Sequence, residues 1–236
     1  DIAYVFLTDL FGRLPNPDGD RVTVYFKELW DFGGGVGGGK IIDIGKADPD
    51  PKRPVRVDNG LLYHELTHCI DDTKPVFAGF TEGLANLGAA YVFEALDAEG
   101  DAQHSFEGNL KQFREFFLDR DLEYWRIQNY GPSCGFFLHF LETYSKRGKA
   151  DHDWCPMRRF FREYRDAPVR DGREPQIVRA LAYHLTRAFG PAVFDDLMKF
   201  GFPLEESDRE LIATEALAYK DGTLDQFDGT FEAHPN

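Results

Sequence analysis

Cysteine is scarce in this chain: Cys69, Cys134 and Cys155 are the only three in 236 residues, and no two form a CxxC pair. That excludes a cysteine zinc cluster. An odd count leaves open one disulfide with a free thiol, or three thiols. Long apolar runs are also missing. Nothing approaches the eighteen consecutive apolar residues of a membrane span, and no charged-then-apolar leader opens the sequence. Position 1 is aspartate, so the expectation is a removed leader or an excised domain. Basic residues are few, 27 against 41 acidic, for a formal charge of -14. Such a balance repels phosphate backbones and anionic lipid, which removes nucleic acid as an expected partner.

What is present suits a folded domain. The hydrophobic fraction is 42% and the aromatic fraction 15%, enough to fill a core. The length fits one domain over 1–236, with an α/β part over about 1–78 and a helical part over about 79–236. "AYVFLTDLFG" is a short apolar run ending at Gly12. "RVTVYFKELW" and "KIIDIG" read as strands, being rich in β-branched residues. Helical patterns take over after Asp58 or Asn59, either of which can cap a helix carrying Leu62, Leu66 and Ile70. A second helix, "TEGLANLGAAYVFEAL", has Leu84, Leu87, Tyr91 and Ala95 as its buried face. Five further helical stretches follow: "NLKQFREFFLDRD", "CGFFLHFLETYSKR", "MRRFFREYR", "IVRALAYHLTRAFG" and "AVFDDLMKFG". Strands early and helices late predict an α+β domain, and the polar tail from Lys220 is expected to be loosely held.

The glycine stretch "FGGGVGGG" satisfies GxGxxG at Gly33, Gly35 and Gly38, and Gly34–Lys40 comes close to a phosphate loop. Both motifs need a helix directly after the glycines, and a β-type run follows instead. The stretch reads as a loop between strands.

The segment "YHELTHCIDD" carries the chemistry. His64 and His68 stand at i and i+4, so both imidazoles project from one helical face and can meet one ion. Glu65 is one step round the helix, where a carboxylate reaches water at the metal without binding the metal itself. With seven histidines in the chain, a chance HExxH is expected on the order of one time in a hundred. A catalytic zinc needs a third protein ligand and an open position. Thirteen residues separate His68 from Glu82, in "GFTEGLAN". Gly83, Ala85, Gly88 and Ala89 are small and permit close helix approach. Asn86, four residues past Glu82, is placed to bond the far nitrogen of a ligand histidine and fix its tautomer.

HExxH followed by an EG-small-A helix resembles the gluzincin metallopeptidases, nearest to the enhancin-like mucin-degrading peptidases and the basic secretory proteins. The resemblance is specific over Tyr63–Asn86. It implies a zincin-like fold and one Zn2+ held by His64, His68 and Glu82. It implies Glu65 as the base in hydrolysis of a peptide, protein or glycoprotein substrate, and an exported setting. The spacer suits the enhancin-like enzymes. Asn86 stands where an acidic residue is common, which implies weaker support of the ligand histidine. No GAMEN-type segment is present, so an endopeptidase is expected rather than an aminopeptidase. The family's edge strand pairs with extended substrate, which makes "KIIDIG" the candidate edge here. Tyr130, in "NYGPSCGFFLHFLETY", resembles the tyrosine that precedes a glycine-containing helix and donates to the oxyanion, with Tyr124 and Tyr144 as rivals. A non-catalytic zincin-like domain binding a protein or glycan is the second reading. His139 reads as a core histidine, "LEYWRIQNYGP" as core packing, and "CPMRRFFREYR" as a solvated basic helix face.

Overall fold

The computed structural model describes residues 2–13, 21–27, 35–38, 41–45, 60–70, 80–118, 130–147, 152–165 and 174–212. Within them run α1 (Ile2–Phe11), β1 (Thr23–Lys27), β2 (Gly35–Gly38), β3 (Ile41–Gly45), α2 (Gly60–Ile70), α3 (Phe80–Ala95), α4 (Phe106–Leu118), α5 (Tyr130–Tyr144), α6 (Cys155–Arg165), α7 (Glu174–Phe189) and α8 (Val193–Lys199). A further helical segment covers 206–212. The domain is mostly helical with a small mixed sheet, broadly α+β. No helix among the described residues is long and apolar enough to cross a membrane.

The sheet order is β1-β3-β2, with β1 parallel and β2 antiparallel to β3. Period-two alternation sorts its faces. Tyr25 and Ile41 are half exposed on one side, while Ile42 is fully buried on the other. Ile42, with Val22 and Val24, packs against Leu61, Leu62, Leu66 and Cys69 of α2. The sheet thereby seats the histidine helix.

Two sequence expectations are corrected here. Gly35–Gly38 is a strand, not a loop, because it pairs with β3 from Gly35↔Ile44 to Gly38↔Ile41. Low β-propensity is overridden by the ladder offered by a well-formed neighbour. "KIIDIG" is consequently the central strand and β2 is an edge. The apolar run before Gly12 is helix α1. It ends at Gly12, whose φ of +67 is the left-handed conformation that glycine adopts freely.

α3 is the axis of the helical part. Every residue from Gly83 to Phe93 is buried, since α1, α2 and α5 surround it. Of the expected face, Leu84, Leu87 and Tyr91 are buried, but Ala95 is exposed because the helix emerges from the core at its end. The stop is a Schellman motif: Ala98 N–H bonds Phe93 C=O and Asp97 N–H bonds Glu94 C=O, with Asp97 at φ +50. The rest of the core is dominated by phenylalanines. Phe80, Phe136, Phe137, Phe140, Phe160 and Phe161 are all essentially inaccessible. Their rings meet mostly edge to face, as between Phe80 and Phe136 and between Phe80 and Phe137. None of the three cysteines is in a disulfide.

Candidate metal centre

α2 and α3 bring the site together because they are small where they touch. A Cβ at Gly88 would overlap the Thr67 hydroxyl and the Leu7 side chain, and one at Gly83 would overlap Ser133 of α5. The expectation of close approach is met, with Gly88 facing α2 and Gly83 facing α5. Glu82 lies in the first turn of α3, where a negative side chain is favoured by the helix dipole.

The result is a convergence of three donor atoms. His64 Nε2 lies 3.1 Å from Glu82 Oε2 and 3.1 Å from His68 Nε2, and His68 Nε2 lies 3.5 Å from Glu82 Oε2. Three such donors repel one another unless a proton or a cation sits among them. A tetrahedral ion with bonds of about 2.0–2.1 Å puts neighbouring ligand atoms about 3.3–3.4 Å apart, and the observed separations bracket that value. Among the described residues this trio is the group of histidine, cysteine and carboxylate side chains able to hold a metal ion. Two imidazoles and a carboxylate suit zinc and other borderline transition metals better than magnesium or calcium.

The electrostatics fit a cation. Hydrogen bonds from His64 and then His68 hold the Glu82 carboxyl down at about 2, against a burial effect in the other direction. Glu82 is therefore ionised at neutral pH. Exposure is graded across the trio: the side chains of His64, His68 and Glu82 are 6%, 15% and 36% exposed. The histidines close the floor, and the site opens to solvent on the side of Glu82.

Asn86 stands where the sequence placed it. Fully buried, it sets Oδ1 2.7 Å from His64 Nδ1. Glu65 is 3% exposed; a buried carboxylate beside the ligand helix face is costly unless partnered, and it does have interactions within the fold. Tyr130 is the first residue of α5, but its side chain lies outside the described residues, as do Tyr124 and most of "LEYWRIQNYGP". Tyr144 is committed elsewhere, donating to Asp196 Oδ2 at 2.7 Å.

Three other histidines find partners away from the trio. His139 bonds Asp196 at 3.0 Å, and His152 bridges Glu94 and Glu142. His104, held by Asp101, sets its ring 5.8 Å from that of His64, a neighbour that linear spacing does not reveal. The basic run on α6 is not a solvated face. Arg158 pairs with Asp9 of α1 and Arg162 donates to the Asp9 carbonyl, tying α6 to α1, while Arg159 pairs with Glu163 one turn along α6. Sequence reading also missed Asn109, which is fully buried and bonds Asn86. The signal was available: Phe106, Asn109, Leu110 and Phe113 follow the spacing of one buried helix face, with a single amide among apolar residues.

No family model matches this chain, and neither a curated protein nor a solved structure is significantly similar to it.

Proposed function

We propose that this protein is a zinc-dependent peptidase of gluzincin type, acting as an endopeptidase on peptide or protein substrates. The observation that carries the reading is the convergence of His64 and His68 of α2 with Glu82 of α3 at tetrahedral ligand separations, with a buried Glu65 on the same α2. Zinc, when bound, supplies Lewis acidity that polarises a scissile carbonyl and lowers the pKa of water to about 7. Glu65 takes the proton from the attacking water and passes it to the leaving amine. Asn86 accepts from His64 Nδ1–H and leaves Nε2 as the ligand atom. A zincin-like arrangement is supported by α2 seated under the sheet through Ile42 and Leu66. The candidate substrate edge becomes β2, where an extended peptide can add by main-chain hydrogen bonds.

The test has two arms. Reconstituted protein should hold one zinc per chain, and His68→Ala should lose it. Glu65→Gln should keep zinc and fold while peptide hydrolysis falls by roughly 10²–10⁴-fold. Failure to bind zinc removes the whole reading. Zinc binding without turnover on a peptide library leaves a binding domain for a protein or glycan.

A further inference from the structure

We infer that Asn109 is a positioning residue for the metal ligand His64, acting through Asn86 by fixing which way the Asn86 amide points. The inference rests on the metal-site reading above. Its logic begins at two backbone carbonyls, because a carbonyl can only accept a hydrogen bond. Asn109 Nδ2 lies 2.8 Å from the carbonyl oxygens of both Gln103 and Ser105. Only the NH2 end of the amide can face that pair, so Asn109 Oδ1 is turned the other way, toward Asn86. There it accepts from Asn86 Nδ2 at 3.1 Å, and the same Nδ2 reaches the Gln103 carbonyl at 3.2 Å. Both acceptors demand a donor, so the NH2 end of Asn86 is spent on them. The oxygen end is left for His64 Nδ1, at 2.7 Å. An acceptor at that distance requires the proton on Nδ1, and Nε2 is then the bare nitrogen, pointed at Glu82 and His68.

The anchor of this relay is held firmly. Asp101 Oδ1 accepts from the Gln103 and His104 N–H groups at 2.8 and 3.0 Å. Ser105 caps α4 by accepting from Gly108 N–H at 3.1 Å. Asn86 and Asn109 are both fully buried, so no water competes for their amides. Each buried donor and acceptor in the relay has one available orientation, and reversing either amide would set oxygen against oxygen. This also accounts for an asparagine at position 86, where an acidic side chain is common among the peptidases this chain resembles. A carboxylate there would face the Gln103 carbonyl and Asn109 Oδ1, two acceptors.

Zinc affinity, measured by competition with a chromophoric chelator, tests the relay. Asn86→Ala is expected to weaken zinc binding by roughly 10–100-fold, and Asn109→Ala by roughly 10-fold. The double variant should be no weaker than Asn86→Ala alone, because Asn109 acts only through Asn86. Multiplying losses, or wild-type affinity in a folded Asn109→Ala, would overturn the proposal. Asn86→Asp leaves Asn109 in place and reads the relay independently of how Asn109→Ala folds. It should weaken zinc binding, and tighter binding would overturn the proposal. If the wild-type protein takes up no zinc, the peptidase reading fails by itself. The relay is then read from the 15N spectrum of His64 in metal-free protein at about pH 8.5, well above an ordinary imidazole pKa. The proton is expected on Nδ1 in the wild type and distributed over both nitrogens in Asn109→Ala. A wild-type proton on Nε2 refutes the relay.

Discussion

Glu163 is a buried carboxylate that two arginines hold by three charge-assisted bonds, and replacing it should cost several kcal/mol. It lies on α6 with 3% of its side chain exposed. Arg187 on α7, itself 5% exposed, donates to it from Nε at 3.0 Å and from Nη2 at 3.2 Å, and Arg159 donates from Nε at 2.8 Å. His184 Nδ1 stands 3.6 Å away, beyond a good hydrogen bond. Burial alone would push the Glu163 carboxyl up, but His184, Arg187 and Arg159 outweigh it and hold it down at about 2, from 4.5. At 1.36 kcal/mol per pKa unit that shift corresponds to about 3 kcal/mol. An independent route gives the same scale: removing one partner of a buried ion pair strands the other charge at a cost of about 3–5 kcal/mol. Glu163→Gln at neutral pH is therefore expected to lower the urea midpoint by the equivalent of about 3 kcal/mol with an unchanged m-value. The folded-state value lies below the unfolded one, so the stabilisation is complete above pH 4.5 and drains away as pH falls toward 2. Wild type should lose its advantage over Glu163→Gln across that window. Buried Trp154 offers a fluorescence signal for both titrations. A difference under about 1 kcal/mol at neutral pH, or one that persists undiminished to pH 2, would refute the reasoning.

Other expectations bear on the site. Tyr130→Phe should keep zinc and lower peptide turnover by roughly 10–10³-fold, the scale of one lost oxyanion donor; an unchanged kcat assigns that donor elsewhere. Gly88→Ala drives a methyl into Thr67 and Leu7, so thermal unfolding should report a loss of about 1–3 kcal/mol. Thr67→Ala in the same chain should recover part of that loss. Saturating zinc at a hundred times its Kd should raise stability by about 2.7 kcal/mol, readable as a shift in Tm that a chelator reverses.

The parts of this fold and site that were legible in the sequence are those governed by local periodicity. His64, His68 and Glu65 are placed by one helix, whose 3.6-residue repeat alone puts the two imidazoles on one face. Glu82 and Asn86 were legible because α3 has its own strong pattern and the small residues that let it approach α2. Every helix expected after Asp58 is present, with ends shifted by a few residues. What escaped depends on pairing between distant segments. Strand order is not encoded in any one strand, so the central position of β3 was hidden, and Gly35–Gly38 has no side-chain signal to announce a strand. The α1 run is apolar on too many sides to reveal its period. His104 beside His64 is a juxtaposition made by the turn before α4 that no spacing rule anticipates; the spacing on α4 marks Asn109 as buried but does not reveal that it meets Asn86.

The contact of Gly88 with Thr67 also has a historical side. Two helices that touch at a missing side chain have no slack to absorb drift at either position. A lineage that gains a methyl at 88 must surrender bulk at 67, or part the helices and lose the alignment of His64 with Glu82. The two positions therefore behave as one unit of inheritance, and substitutions there should arrive together or not at all. Aligned sequences of related chains would show it as a paired change, with glycine kept wherever threonine is kept.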